Sequence, residues 1–179
     1  MFCRESPVPV IVKETGSGIS RETAEACWGA GVRAIDTGGW GGTSWAAIES
    51  FRAGKSRGKK GADLFALGTL FQEWGIPTAV SLVEVVGTGG PVIATGGIRT
   101  GLDMAKALAL GADLCGLALP LLRPAMESEE ALFSRIEELN RELQTAMFLC
   151  GAKKTRDMKR TRVYITGKTR EMIGKIKGG

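Results

Sequence analysis

Pro91-Val-Ile-Ala-Thr-Gly-Gly-Ile-Arg-Thr-Gly101 is a short β-branched run that stops at two glycines and leads into a helix start. An apolar run of this length, bounded by turn residues, reads as a buried parallel strand. Thr100 to Leu110 then reads as a helix, with Leu102, Ala105 and Ala109 along one face and Gly111 closing it. Val32-Arg-Ala-Ile-Asp36 follows the same plan and ends in Thr37-Gly-Gly39. Ile35-Asp-Thr-Gly-Gly39 and Ile93-Ala-Thr-Gly-Gly97 thus form a weak internal repeat. Val8-Pro-Val-Ile-Val12 supplies a strand before them, broken by Gly16-Ser-Gly18. Leu114-Cys-Gly-Leu-Ala-Leu119 supplies one after them, stopped by Pro120. Four strand-then-helix units in order predict an α/β fold with a parallel sheet. Right-handed crossovers place every strand C-terminus on one edge, so the glycine clusters converge there. That edge is the ligand face in both open α/β sheets and (β/α)8 barrels.

The remaining helices follow from caps and periodicity. Ser20 reads as the N-cap of a helix through Ala30, with Thr23, Ala26, Cys27 and Ala30 on one face and Gly31 as its stop. Leu64 to Trp74 reads as a helix ended by Gly75-Ile-Pro77, and residues 78–86 as a further helical piece. Ser128 caps a long helix with Glu129 and Glu130 in its first turn, where the helix dipole favours acid. Its apolar stripe is Leu132, Ile136, Leu139, Leu143, Met147 and Cys150, and Gly151 ends it.

Composition limits the chemistry. The 179 residues are 44% apolar and 24% charged, which is a globular composition of single-domain length. Histidine is absent, which excludes any mechanism in which this chain supplies an imidazole. The 26 glycines are about twice the usual share and cluster after apolar runs, as backbone built for close ligand approach does. Cys3, Cys27, Cys115 and Cys150 form no Cys-x-x-Cys pair and read as reduced, buried thiols of a cytoplasmic protein. No apolar stretch nears the roughly 20 residues of a spanning helix, and the start has no signal-peptide pattern.

Charge is unevenly placed. Residues 151–179 hold 10 of the 24 Lys and Arg but 2 of the 19 Asp and Glu, so this segment carries +8 against −3 for the rest. A basic tail can bind nucleic acid, acidic lipid or a phosphorylated ligand; the plainer reading is a solvated surface segment. Tyr164 is its one aromatic residue, so it has no stacking ladder for single strands, and nucleic acid is disfavoured. A second basic run, Lys55-Ser-Arg-Gly-Lys-Lys60, reads as a mobile insertion.

Four places on the glycine edge carry chemistry. Gly96 and Gly97 allow backbone amides to approach a ligand, the following helix start suits phosphate, and Arg99 can add donors. A second anion cradle can form from backbone at Ala118-Leu119. The alternative is a tight turn without ligand. Lys13, at the end of the first strand, can stabilise developing negative charge, or it is a surface residue paired with Glu14. In Gly38-Gly-Trp-Gly-Gly-Thr-Ser44, Thr43 or Ser44 can donate to a ring or phosphate, or the loop is merely flexible. Trp40 and Trp45 flank it and can cover a flat ligand or pack on a partner chain.

At these motifs the chain resembles the C-terminal half of type 2 isopentenyl diphosphate isomerase, the flavin-dependent form. The stretches that carry the resemblance are Val10-Ile-Val-Lys-Glu-Thr-Gly-Ser-Gly-Ile-Ser20, Ala34-Ile-Asp-Thr-Gly-Gly-Trp-Gly-Gly-Thr-Ser-Trp-Ala46, Ala94-Thr-Gly-Gly-Ile-Arg-Thr-Gly-Leu-Asp103, Lys106-Ala-Leu-Ala-Leu-Gly-Ala112 and Ala146-Met-Phe-Leu-Cys-Gly-Ala152. The second and last are the more specific; several FMN-dependent barrel enzymes carry runs like the third and fourth.

The resemblance implies a (β/α)8 barrel of which this chain is roughly the second half: about four β/α units plus C-terminal helices. It would be one partial barrel domain over residues 1–179, with a basic segment at 152–179. The family interconverts isopentenyl and dimethylallyl diphosphate with reduced FMN, Mg2+ and NADPH as a usual reductant. Carried over, Lys13 lies near the polar edge of the flavin, and Thr43 contacts the flavin. Gly97, Ile98, Arg99, Ala118 and Leu119 hold its phosphate. Gly38 stands where many members have Ser. The segment Glu84 to Pro91 is shortened. The earlier half of the pattern, with the substrate-binding Gln and Mg2+-binding Glu, has no counterpart here. The resemblance thus implies part of an FMN phosphate site without a complete isomerase, and it assigns no catalytic residue and no metal ligand to this chain.

Four strands cannot close an eight-stranded barrel, which predicts a homo-oligomer or pairing with a missing half. Another FMN barrel, such as a hydroxy-acid oxidase, needs a catalytic His that is absent. From a different class comes a non-catalytic FMN- or phosphate-binding half-barrel or interaction module.

Overall fold

The computed structural model describes residues 2–55 and 58–176. After a short helix α1 (Phe2–Glu5), the chain alternates β1 (Ile11–Lys13), α2 (Arg21–Gly29) and β2 (Ala34–Asp36). Three helices follow: α3 (Trp45–Gly54), α4 (Lys59–Leu70) and α5 (Thr78–Val85). Next come β3 (Val92–Ala94), α6 (Gly101–Ala109), β4 (Leu114–Cys115), α7 (Leu119–Glu127) and α8 (Glu129–Leu149). A 3-10 turn at Thr155–Arg160 and α9 (Gly167–Ile176) end the described chain. No helix among the described residues is long and apolar enough to cross a membrane.

The four strands form one parallel sheet in the order β1-β2-β3-β4, with Lys13 level with Asp36, Asp36 with Ile93, and Ile93 with Leu114. Strand residues facing the helices are the core: Ile35, Val92 and Ala94 pack with Ala24, Leu82 and Val85. A second cluster joins Ala105 and Leu108 of α6, Leu143 of α8 and Met158 of the 3-10 turn. Ser20 and Ser128 cap α2 and α8 as the sequence predicts, and Thr100, read as the first residue of its helix, is the cap of α6.

Several expectations are corrected. The strands are two or three residues long. The run at Val8 starts late because Pro9 has no N–H to give a ladder. The last strand leaves the sheet after Cys115. Leu119 opens helix α7, and Pro120 starts that helix rather than stopping a strand, because the first turn tolerates a missing N–H. On α2 the inward face is Ala24, Cys27 and Trp28, not Thr23, Ala26 and Ala30; the Trp28 ring lies against Gly89, and its Nε1 donates to Thr88 Oγ1 at 2.8 Å. On α6, Leu102 is exposed while Ala107 and Leu108 are buried. Cys150 is exposed. In the second basic run, Ser56 and Arg57 lie outside the described residues, and Lys59 and Lys60 begin a helix. The basic tail is not wholly a solvated segment. Met158 is 2% exposed within the core, and Lys159 pairs with Asp113 at 2.6 Å; Lys177 lies outside the described residues.

Candidate functional site

The strand C-termini open into one pocket of about 950 Å³. Its walls include Lys13, Thr43, Gly97, Ile98, Arg99, Ala118 and Leu119, so all seven candidate residues meet in one place. Leu121, Leu122, Ala125 and Leu132 add an apolar wall from α7 and α8.

At the floor of this pocket sits Asp36, which sequence reasoning did not single out. It is 7% exposed, at the last position of β2. Its Oδ2 accepts from Lys13 Nζ at 2.7 Å, and its Oδ1 accepts from the Thr95 hydroxyl and, at 3.2 Å, the Gly38 amide. Lys13 Nζ also donates to Thr95 Oγ1 at 3.1 Å. One carboxylate therefore ties the tips of β1, β2 and β3 together and aims an ammonium into the pocket. The signal was present: a charged residue ends the apolar run Val32-Arg-Ala-Ile-Asp36, where burial requires a partner.

Lys13 is thus paired with Asp36, not Glu14. The Glu14 carboxylate turns instead to its own loop and accepts from the amides of Gly16, Ser17 and Gly18. Burial pushes its pKa up, but amide donors at Gly16, Ser17, Thr15 and Gly18 outweigh it and hold the carboxyl below its ordinary value.

The two repeated turns nest against each other. Gly38 has φ +46, and a Cβ there would lie 1.9 Å from the Glu14 carbonyl oxygen, so a Ser at this position does not fit this backbone. Gly97 has φ +75, and its Cβ would lie 2.3 Å from the Gly41 carbonyl oxygen. The Gly38–Ser44 loop is pinned rather than flexible: Gly39 N donates to Thr95 O, and Trp40 N to Ile76 O. Ser44 is spent on capping α3, where it accepts from Ala47 N. Thr43 remains on the pocket wall, and Trp45 starts α3.

The anion-binding capacity lies elsewhere than expected in one respect. The start of α6 is closed by two acids: its own Asp103 accepts from the amides of Arg99 and Thr100, and Glu142 of α8 from that of Gly101. The helix N-terminus is therefore no phosphate site. Among the described residues, the amides of Gly97 and Ile98, in the turn before it, donate to no protein acceptor, and neither do those of Ala118 and Leu119. Leu119 begins α7, which has no side-chain cap. Two pairs of unbonded amides on the wall of one pocket, one at a helix start, suit an anion. Arg99 lies across the turn, donating to Gly97 O at 3.4 Å and Gly41 O at 3.3 Å. Cys115, half-buried, is pushed up to about 11 by burial and is no nucleophile.

Comparison with known proteins agrees with this geometry. A family described as FMN-dependent dehydrogenase matches residues 2–165. An isopentenyl-diphosphate delta-isomerase of Methanoregula boonei is 66% identical over 172 residues, covering 96% of this chain and 48% of the relative. One of Halobacterium salinarum is 49% identical, covering 93% of this chain and 45% of the relative. The chain spans about half the length of the curated relatives it matches. Among solved structures, a mandelate oxidase variant is similar with TM-score 0.62 at 25% identity, over 89% of this chain and 41% of that one. A GMP reductase variant from Trypanosoma brucei gives TM-score 0.63 at 25% identity, over 92% and 37%. The architecture is that of a (β/α)8 barrel, of which the chain supplies four units. With its matched residues running from α1 to the basic segment and its pocket at the strand C-termini, the chain belongs to the FMN-dependent dehydrogenase family.

Proposed function

We propose that this chain is the phosphate-holding half of a type 2 isopentenyl diphosphate isomerase, which interconverts isopentenyl and dimethylallyl diphosphate in the cytoplasm on reduced FMN. The observation that carries the reading is the pocket where Lys13, Thr43, the Gly97–Arg99 turn and Ala118-Leu119 meet around unbonded amides. The names of the curated relatives support the reaction.

FMN fits these residues. The volume is in the range of small-molecule sites. The amides of Gly97, Ile98, Ala118 and Leu119 suit a phosphate, with Arg99 adding positive charge. Lys13, fixed by Asp36 and Thr95, presents an ammonium to the polar edge of the ring, and Thr43 offers a hydroxyl. The leucines of α7 and α8 keep water from one side. When bound, FMN supplies acid and base at the allylic carbon, which suits a chain without His.

Mg2+ does not fit. Among the described residues no group of three or more His, Cys, Asp or Glu can hold a metal, and Asp36 and Glu14 are both engaged within the protein. In this reading Mg2+, the diphosphate and NADPH act through residues of the other half of the relatives' length. Residues 1–179 form one partial barrel, with 152–179 as its basic segment, and its open edges take up the missing half or a second copy. The chain alone is not a competent isomerase. A second reading, a non-catalytic FMN-binding half-barrel, is favoured by the missing metal ligands.

Complementation tests the proposal. The chain is mixed with the portion of the Methanoregula boonei relative that precedes the matched region, with FMN, reductant, Mg2+ and isopentenyl diphosphate. The expected result is turnover by the mixture and none by either piece. Turnover by the 179-residue chain alone contradicts its incompetence. FMN binding with no turnover in the mixture selects the non-catalytic reading.

A further inference from the structure

The turn between β3 and α6 is held from behind by α8. Gly101 opens α6 directly on the backbone of that helix: a Cβ there would lie 2.4 Å from both Leu139 O and Leu143 N. Leu139 and Leu143 are buried, so this contact belongs to the core. Arg135 and Glu142 stand seven residues apart on α8, two helical turns, and therefore share a face. Arg135 Nη2 donates to Arg99 O at 3.3 Å, and Glu142 Oε2 accepts from Gly101 N at 2.5 Å. The two side chains are joined, with Arg135 Nη1 lying 3.4 Å from Glu142 Oε1. On the other side of the turn, Thr78 Oγ1 at the start of α5 donates to Gly96 O at 2.5 Å. Asp103 accepts from the amides of Arg99 and Thr100. The backbone is thus gripped at Gly96 and again from Arg99 to Gly101. Between the grips lie Gly97 and Ile98, on the pocket wall with unbonded amides.

We propose that Arg135 is a positioning residue of the anion site, which it serves through Arg99 without lining the pocket itself. The proposal rests on the reading of the pocket as an FMN site. Arg99 is the cation of the turn, and its main chain is fixed by Asp103 at the amide and by Arg135 at the carbonyl. A forked guanidinium suits this place, because one nitrogen serves that carbonyl while the other serves the carboxylates of Glu138 and Glu142. The second contact has a further effect. Glu142 stands directly behind a turn that is to receive a phosphate, where an unpaired carboxylate repels the ligand. Arg135 therefore fixes the turn and screens the acid behind it. Both effects act on the phosphate. The flavin ring, set against Lys13 and Thr43, depends on β1 and on the loop after β2, which Arg135 does not touch.

Titration of the 179-residue chain with FMN and with riboflavin, which lacks the phosphate, tests it. The ratio of the two dissociation constants reads the phosphate site alone. Arg135→Met should weaken FMN by roughly three- to tenfold and leave riboflavin unchanged, so that the ratio falls. Arg135→Met combined with Glu142→Gln removes the repulsion but not the lost donor, and should recover only part of that fall. Met158→Ala loosens the same layer without touching the turn and should keep the wild-type ratio. Circular dichroism confirms that each variant is folded. FMN binding that Arg135→Met leaves unchanged overturns the proposal while the flavin reading stands. So does an equal loss for both flavins, or a fall in Met158→Ala as large as in Arg135→Met, either of which reduces Arg135 to general support of the fold. Full recovery in the double variant overturns the positioning role, leaving Arg135 a screen of charge. A wild-type chain that binds neither flavin overturns the FMN reading, and this assignment with it.

Discussion

Asp36 is the residue on which three strand tips depend, and its removal has a defined cost. Asp36→Asn keeps acceptors for Thr95 and Gly38 but withdraws the charge that holds Lys13. Lys13 is half exposed, so water recovers part of the loss. The expected destabilisation is about 1–2 kcal/mol, read as a lower urea midpoint with unchanged circular dichroism. Gly97→Ala faces both a left-handed φ and the Gly41 carbonyl oxygen. It should cost about 1–3 kcal/mol, measured by the same unfolding curve, and displace the turn amides. Glu14 gives a pH signature. Its carboxyl sits below the ordinary 4.5 when folded, so its contribution is full above that pH and is lost as pH falls through the folded value. The wild-type chain should therefore lose stability on acidification below about pH 4.5 more steeply than Glu14→Gln, as thermal melts across that range would show. In sequence, Gly97 and Lys13 were legible from their place at strand ends. Asp36 carried a signal that went unread, as did the Thr100-x-x-Asp103 spacing of a local capping box, whereas Glu142 was not legible because its partner Gly101 lies across the fold.

At the level of elements, the alternation of strand and helix was legible because the first three apolar runs led into glycine and the helices α2, α6 and α8 had side-chain caps. The elements missed or displaced had mixed signals. α3 was missed and α4, read as Leu64 to Trp74, spans Lys59–Leu70, both in glycine-rich, basic sequence; α7 begins with Leu119-Pro120, a pair that reads equally as the end of a strand. The face of α6 went astray because small residues, not the largest ones, mark close packing; that of α2 went astray the other way, since Trp28 turns inward beside Ala24 and Cys27 while Thr23, Ala26 and Ala30 are exposed. At Gly101 a Cβ would lie 2.4 Å from Leu139 O, so α6 sits nearly on the backbone of α8 while Leu102 turns outward. The 3-10 turn of the basic segment completes that layer through Met158. Met158→Ala should therefore destabilise the chain by about 2–4 kcal/mol in denaturant unfolding. A change near zero would show the segment to be a loose appendage.

For the molecule as a whole, the sheet is open where a barrel would be closed. Ile11 on β1 and Leu114 on β4 are 53% and 62% exposed on the two outer strands, and neither strand has a second neighbour among the described residues. Charge is divided as well, with acid in excess around the strands and base in the last 29 residues of the chain. These features suit a piece that gains a partner, and they leave the pocket at the strand tips already assembled. Fluorescence titration of FMN with the purified chain tests that claim most directly. The account predicts saturable quenching that inorganic phosphate competes away and Gly97→Ala weakens by about tenfold or more. A folded chain that leaves flavin emission unchanged up to the millimolar range would contradict it.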